Sequence, residues 1–168
     1  MQTRTVRTVV YLAAGLGLIV ALFAAAEFFD ASLRGICSLS TFFSCATVDQ
    51  SGRTTTLFLP DYLWGIGGFL AILVAAGLAE RSPRSRPWAF TLLGLTTAGV
   101  ALSFYLMYVE LALIGALCIV CASDYLLGAI AWVGAIALVG RTRTEPGPAA
   151  ASAAPAEPPA EPPADPPD

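Results

Sequence analysis

The chain has 168 residues, of which 57% are hydrophobic and only 12% charged, too apolar a composition for a water-soluble domain. Its net charge is −3 and it has no histidine; neither a metal site nor a nucleic-acid partner is expected. The four cysteines are the residues richest in chemistry.

A membrane span takes about 20 mostly apolar residues, and four stretches qualify: 8–29, 61–79, 88–109 and 115–139. The expected fold is an all-α membrane protein, a four-transmembrane-helix bundle over residues 1–143. The first span follows Arg4 and Arg7, and Ala24-Ala25-Ala26 resembles a leader cleavage site. Its 19 uncharged residues from Thr8 to Ala26 exceed the ~7–15-residue core of a leader peptide, so a retained span is expected. Asp30, Arg34 and Gly35 mark the exit from the membrane. Residues 31–60 form a Ser-, Thr- and Gly-rich loop carrying Cys37 and Cys45, with Phe42 and Phe43 placed to rest on the membrane surface. Pro60 suits the start of the second helix, where a missing N–H costs little. Pro83 and Pro87 mark a tight turn into the third helix, which is expected to end near Glu110–Leu111 with Gly115 as the turn. The fourth helix is expected to start near Ala116 or Leu117. Residues 144–168 repeat a Pro-Ala-Glu-Pro unit and read as a disordered, Pro-rich cytoplasmic tail.

All nine basic residues are arginine. Four spans place seven of them on one side and leave Arg34 and Arg53 on the other. By the positive-inside rule both termini are cytoplasmic. The loop with Cys37 and Cys45, and the short connection before Cys118, then share the extracytoplasmic side, where dithiols are driven to disulfides.

Cys118-Ile119-Val120-Cys121 heads the fourth helix. Unsatisfied N–H groups at a helix N-terminus favour a thiolate, with Cys118 expected exposed at the tip and Cys121 about a turn deeper. Tyr125 stacks directly below Cys121. Two readings of its phenol are open: a bond to a quinone carbonyl, or to a backbone carbonyl in a packed core. Asp124, roughly 9 Å along the helix from Cys118, is an intramembrane carboxyl of the kind that is costly and usually functional. It either passes protons to a reduced quinone or bonds a hydroxyl such as Thr96, Thr97 or Ser103. The loop pair Cys37 and Cys45, taken alone, reads first as a structural bridge closing a nine-residue segment. Zinc is the remaining use of four cysteines, disfavoured by the lack of histidine.

The run Ser44-Cys45-Ala46-Thr47-Val48-Asp49-Gln50-Ser51 resembles the Ser-Cys-x-x-Val-x-x-Ser loop of the vitamin K epoxide reductase (VKOR) family. Cys37 matches that family's first loop cysteine, and Cys118-Ile119-Val120-Cys121 with Tyr125 resembles its quinone-site motif. Pro60 and Gly65 fall where many prokaryotic members carry Gly-Ile-Pro and then Gly, although Phe58-Leu59 replaces the Gly-Ile and Arg53 stands where Tyr is common. The resemblance covers about residues 8–140, and it implies roles. Cys121 reacts with quinone and Cys118 then closes the bridge; Cys118 exchanges with Cys45; Cys37 pairs with Cys45 and meets a soluble partner. Ser51 supports loop or thiol geometry and Tyr125 bonds the quinone. Asp61 either reaches the quinone or merely caps its helix.

The implied activity is a membrane thiol oxidoreductase of the prokaryotic plasma membrane. It would pass electrons from a reduced thioredoxin-fold (DsbA-like) extracytoplasmic protein to a lipid quinone of the menaquinone, ubiquinone or vitamin K type, with no metal. Many bacterial relatives carry a fused thioredoxin-like domain; these 168 residues contain none, so the partner is expected to act in trans. The competing reading is a non-enzymatic, claudin-like four-span scaffold with a structural Cys37–Cys45 disulfide.

Overall fold

A computed structural model describes residues 3–53, 55–56, 58–81 and 85–142. The expected Pro-rich tail and the turn at Pro83 lie outside the described residues. Four long helices, α1 (Thr3–Phe29), α4 (Asp61–Arg81), α5 (Ser85–Tyr108) and α6 (Ile119–Thr142), form the bundle. All four are long and apolar enough to span a membrane. Between α1 and α4 lie two short helices, α2 (Ala31–Arg34) and α3 (Cys45–Gln50), and a two-stranded hairpin of β1 (Thr55–Thr56) and β2 (Leu59–Pro60). In β1 and β2, Thr55 pairs with Pro60 and Thr56 with Leu59.

Helix α1 packs on α4 and α6, and α5 closes the ring against the same two helices. The bundle centre is built of Val10, Ala14, Ala21, Ala75, Ala76 and Ala135 around Phe69, Ile72 and Leu92. Lipid tails are as apolar as leucine, so burial alone does not hold such helices together. Small side chains let backbones approach and gain dispersion contact instead. Tyr11 on α1 donates a hydrogen bond to Glu80 on α4 (3.2 Å), and Trp132 Nε1 on α6 donates to Thr97 Oγ1 on α5 (3.0 Å). Arg7 forms an ion pair with Glu80 at 3.6 Å. The start of α1 thus lies beside the end of α4, and the Cys-bearing segments gather at the opposite end.

Two boundaries differ from the sequence expectation. The third span does not stop at Glu110–Leu111: it continues as a wide π-helical turn over Val109–Ile114. Gly115 then ends it with a left-handed φ of 76°, a conformation glycine adopts without steric cost. The N–H groups of Gly115 and Ala116 both reach back to the Glu110 carbonyl (2.8 and 3.2 Å). The fourth helix starts at Ile119 rather than near 116, which makes Cys118 the residue at its threshold.

The loop is held by short-range polar contacts. Asp30 caps α2, accepting from the Ser32 N–H (2.9 Å) and hydroxyl (2.7 Å). These bonds hold its exposed carboxyl below the usual range, so this cap persists at neutral pH and is lost as pH falls through the lowered value. Ser44 caps α3 through the Thr47 N–H (3.2 Å), and Trp64 Nε1 donates to the Thr56 carbonyl (3.0 Å).

Phe58, in the hairpin turn, has φ of 68° and stands where the family resemblance places glycine. A left-handed conformation costs a residue bearing Cβ about 1–2 kcal/mol. Phe58→Gly is therefore expected to raise the thermal unfolding temperature of the detergent-solubilised protein, by a stabilisation of up to about 1 kcal/mol once the greater freedom of unfolded glycine is subtracted. An unchanged or lowered midpoint would mean that the phenyl ring contributes more than the turn loses.

Candidate functional site

The site forms where loop 36–50 is clipped onto the connection between α5 and α6. Leu117 N–H donates to the Phe42 carbonyl (2.8 Å), and Ser44 N–H donates to the Leu117 carbonyl (3.2 Å). This places Phe43 opposite Leu117 as a parallel bridge. The Phe42 and Phe43 rings meet edge to face at 5.0 Å and remain partly exposed above the clip. Cys37, Cys45 and Val48 are thereby packed in one buried cluster with Ala116, Cys118 and Val120.

Cys37 and Cys45 form a disulfide with a Cα–Cα distance of 5.8 Å, while Cys118 and Cys121 are free. Cys118 Sγ lies 3.4 Å from Cys45 Sγ, a non-bonded sulfur contact short enough for exchange. The expectation that Cys118 is exposed is corrected: only 5% of it is accessible, and Cys45 is 1% exposed, because the loop covers the helix tip. The threshold position of Cys118 is set by capping. Its carbonyl accepts from the Ala122 N–H (2.9 Å). Its sulfur accepts from the Cys121 N–H (3.3 Å), the bond an N-cap oxygen normally takes.

Tyr125 does not bond a backbone carbonyl. Its hydroxyl donates to Glu110 Oε1 at 2.7 Å. The other carboxylate oxygen of Glu110 accepts from the Cys118 N–H at 3.0 Å, and the Cys121 thiol lies beside this carboxylate. Glu110 is 4% exposed. The sequence reading used it only to mark the end of a helix. Its signal was available: one carboxylate with apolar Val109 before it and Leu111-Ala112-Leu113-Ile114 after it. Glu27, 2% exposed, was also passed over. One of its carboxylate oxygens lies within 4.8 Å of both loop sulfurs, which in the disulfide state offer no thiolate to a metal.

Beneath Cys121 opens a cavity of about 140 Å³, walled mainly by apolar side chains. Cys121, Tyr125, Glu110, Asp124 and Asp61 all reach it, as does Arg53. Asp124 does not bond Thr96, Thr97 or Ser103: those hydroxyls donate to carbonyls of their own helix. Asp124 Oδ1 and Asp61 Oδ1 are buried without a hydrogen-bond partner. Asp61 is the first residue of α4, with Thr56 of the hairpin beside it. Gly65 keeps the floor open: a Cβ there would lie 3.1 Å from Ala21 Cβ and 3.5 Å from Asp124 Oδ2. An apolar chamber with a phenol and two under-satisfied carboxyl oxygens suits a flat, greasy molecule with polar oxygens at its edge.

Ser51 lies at the far end of α3. Its hydroxyl donates to the Val48 carbonyl (2.6 Å) and accepts from the Arg53 N–H (3.2 Å). These bonds shape the loop backbone rather than the sulfurs.

Four spanning helices, a loop disulfide and a Cys-x-x-Cys threshold in sulfur contact with it come together at one end of the bundle. The profile of the Vitamin K epoxide reductase family matches residues 8–136. The chain belongs to that family. No individual curated protein matches it. Family membership makes this VKOR-family protein an integral membrane redox enzyme. The same membership accounts for the two cysteine pairs better than a scaffold whose only bridge is inert.

The contact between Cys45 and Cys118 carries a prediction. In a Cys37→Ala/Cys121→Ala protein the two remaining sulfurs are expected to form an intramolecular disulfide under mild oxidation, nearly completely and within the monomer. Peptide mapping by mass spectrometry reads the bond. Persistence of two alkylatable thiols would contradict the observed loop placement.

Proposed function

We propose that the protein is a disulfide-generating oxidoreductase that transfers electrons from an extracytoplasmic thioredoxin-fold protein, acting in trans, to a lipid quinone. The observation that carries this reading is the Cys45–Cys118 sulfur contact standing directly above a cavity that Cys121 and Tyr125 line. One sulfur relay thus joins a loop to a chamber suited to an apolar oxidant. The arginine distribution supports placing the loop on the extracytoplasmic side.

The cycle divides into exchanges of one disulfide bond each. A partner thiolate attacks the Cys37–Cys45 bridge and leaves as the partner's own disulfide, so the loop becomes a dithiol. Cys45 thiolate then attacks Cys118 of an oxidised Cys118–Cys121 pair, releasing Cys121 thiolate. Cys37 thiolate attacks Cys45 in turn, restoring the loop bridge and releasing Cys118. The described state, with the loop bridge closed and the helix thiols free, corresponds to the end of this transfer. Each exchange needs a thiolate attacker and a sulfur that leaves readily. The helix pair is then reoxidised as the quinone takes two electrons and two protons.

Both loop sulfurs are covered, so the partner must displace the strap before it reaches them. Ile36, Leu39, Phe42 and Phe43 leave an exposed apolar rim around the bridge, a suitable landing surface for a hydrophobic face of a thioredoxin fold.

Reconstitution with ubiquinone or menaquinone, following oxidation of a reduced thioredoxin-fold protein, tests the reading. Cys118→Ala and Cys121→Ala are each expected to abolish quinone-dependent turnover, and Cys45→Ala to uncouple the helix pair from the partner. Sustained turnover by the Cys121→Ala protein would defeat the mechanism. Asp124→Asn is expected to slow quinone reduction at matched protein amounts, because its orphaned oxygen faces the chamber; an unchanged rate would remove Asp124 from proton supply.

A further inference from the structure

Reduction of a quinone by two thiols leaves a proton problem that the cysteines do not solve themselves. Two S–H protons must leave sulfur, and two must arrive on the oxygens of the acceptor, inside a chamber walled largely by apolar groups. Only a group touching both the reacting sulfur and the acceptor pocket can manage both transfers over short distances.

Among the described residues, Glu110 meets that condition. Its carboxylate has three neighbours: the Cys118 N–H, which donates to it, the Cys121 thiol beside it, and the Tyr125 hydroxyl, which also donates to it. The first fixes the carboxylate against the Cys-x-x-Cys threshold. The second puts it beside the sulfur that faces the cavity. The third connects it to the phenol lining the same cavity. The π-helical turn over Val109–Ile114 presents the side chain inward at this level, and such turns recur at functional positions.

We infer that Glu110 is the acid–base group of the helix dithiol, taking the proton of Cys121 as its sulfur attacks and returning it through Tyr125 to the acceptor oxygen. This deepens the function proposed above and rests on it only for the identity of the acceptor. In the first step Cys121 Sγ bonds to an electrophilic ring carbon while its proton passes to Glu110, and the ring's electron pair moves to oxygen. Tyr125 gives its proton to that oxygen and is re-protonated by Glu110. In the second step Cys118 thiolate attacks Cys121 Sγ. The sulfur–sulfur bond forms, the carbon–sulfur bond breaks, and the electron pair stays on the ring. The Cys118 proton follows the same route to the second oxygen. Two thiols become one disulfide, and the acceptor gains two electrons and two protons.

The groups beside Glu110 are Asp61 from α4 and Cys118, Cys121 and Tyr125 from α6 and its threshold, and Asp49, Arg53, Tyr62 and Asp124 line the same chamber. Of these Arg53 alone is cationic, and the Asp61 carboxylate repels that of Glu110.

The test reads Cys121 without any quinone. In full-length Cys118→Ala protein with the Cys37–Cys45 bridge intact, Cys121 is the sole free thiol, and N-ethylmaleimide stands in for an electrophilic ring. Glu110→Gln in this background is expected to slow alkylation at neutral pH on the order of 100-fold, the usual contribution of a positioned base. Its rate should then climb about tenfold per pH unit as solvent supplies the thiolate, while the Glu110 protein shows a shallower profile. Equal rates with equal pH profiles, in proteins whose loop bridge is intact, would overturn the assignment. A second measurement needs no variant at this position. Time-resolved infrared spectra of the Glu110 protein during alkylation with iodoacetamide, which expels iodide and leaves the Cys121 proton behind, should show a protonated carboxyl band as Cys121 reacts, and its absence would also overturn the assignment. If no quinone oxidises the wild-type protein, the proposed function fails, while this experiment still decides the role of Glu110.

Discussion

The structure depends on one backbone clip. Leu117 exchanges hydrogen bonds with Phe42 and Ser44, and this fixes a polar loop over the end of a membrane helix. Everything sulfur-related comes from that attachment: the burial of Cys45 and Cys118, their 3.4 Å separation, and the covering of Cys118. Disulfide exchange is sensitive to alignment, and holding two reactants at contact removes much of the entropic cost of reaction. The clip therefore does for the sulfurs what a lid does for a substrate, and it consists of two hydrogen bonds.

Below the clip the physics changes. The bundle gains little from burying apolar surface in an apolar solvent, so it relies on small residues and a few interhelical hydrogen bonds. Against that background Glu27, Asp61, Glu110 and Asp124 are costly residues to retain near or within the spans. All four cluster near the two cysteine pairs and the chamber, and none lies in the alanine-rich bundle centre. Their distribution separates the molecule into a lower half built for packing and an upper half that holds the buried carboxyls and the sulfurs.

Much of the fold was legible in the chain. Uncharged runs of span length located the four helices, since lipid tolerates few alternatives to a helix. The run Ser44–Ser51 and Cys118-Ile119-Val120-Cys121, through their resemblance to family motifs, pointed to the family that the profile match shows. What escaped was tertiary. Nothing local to Cys118 announces that a segment about 70 positions earlier in the chain lies over it. Hydroxyls at Thr96, Thr97 and Ser103 looked available to Asp124, but in an apolar helix such groups bond the carbonyl one turn back. Glu110 was overlooked because a charge after a long apolar run usually signals the exit from a membrane. Here the backbone keeps going for another turn, and the charge is swallowed with it.

That extra turn has a consequence for how the chain tolerates change. A π-helical turn houses one residue more than an α-helix of the same rise. Losing any single position between 109 and 114 would let the helix heal into ordinary α geometry, with the residues on either side kept near their present register. The wide turn that carries the Glu110 carboxylate would be gone while every cysteine stayed in the sequence. Shortening this segment by one residue therefore probes the turn itself, apart from any side chain in it.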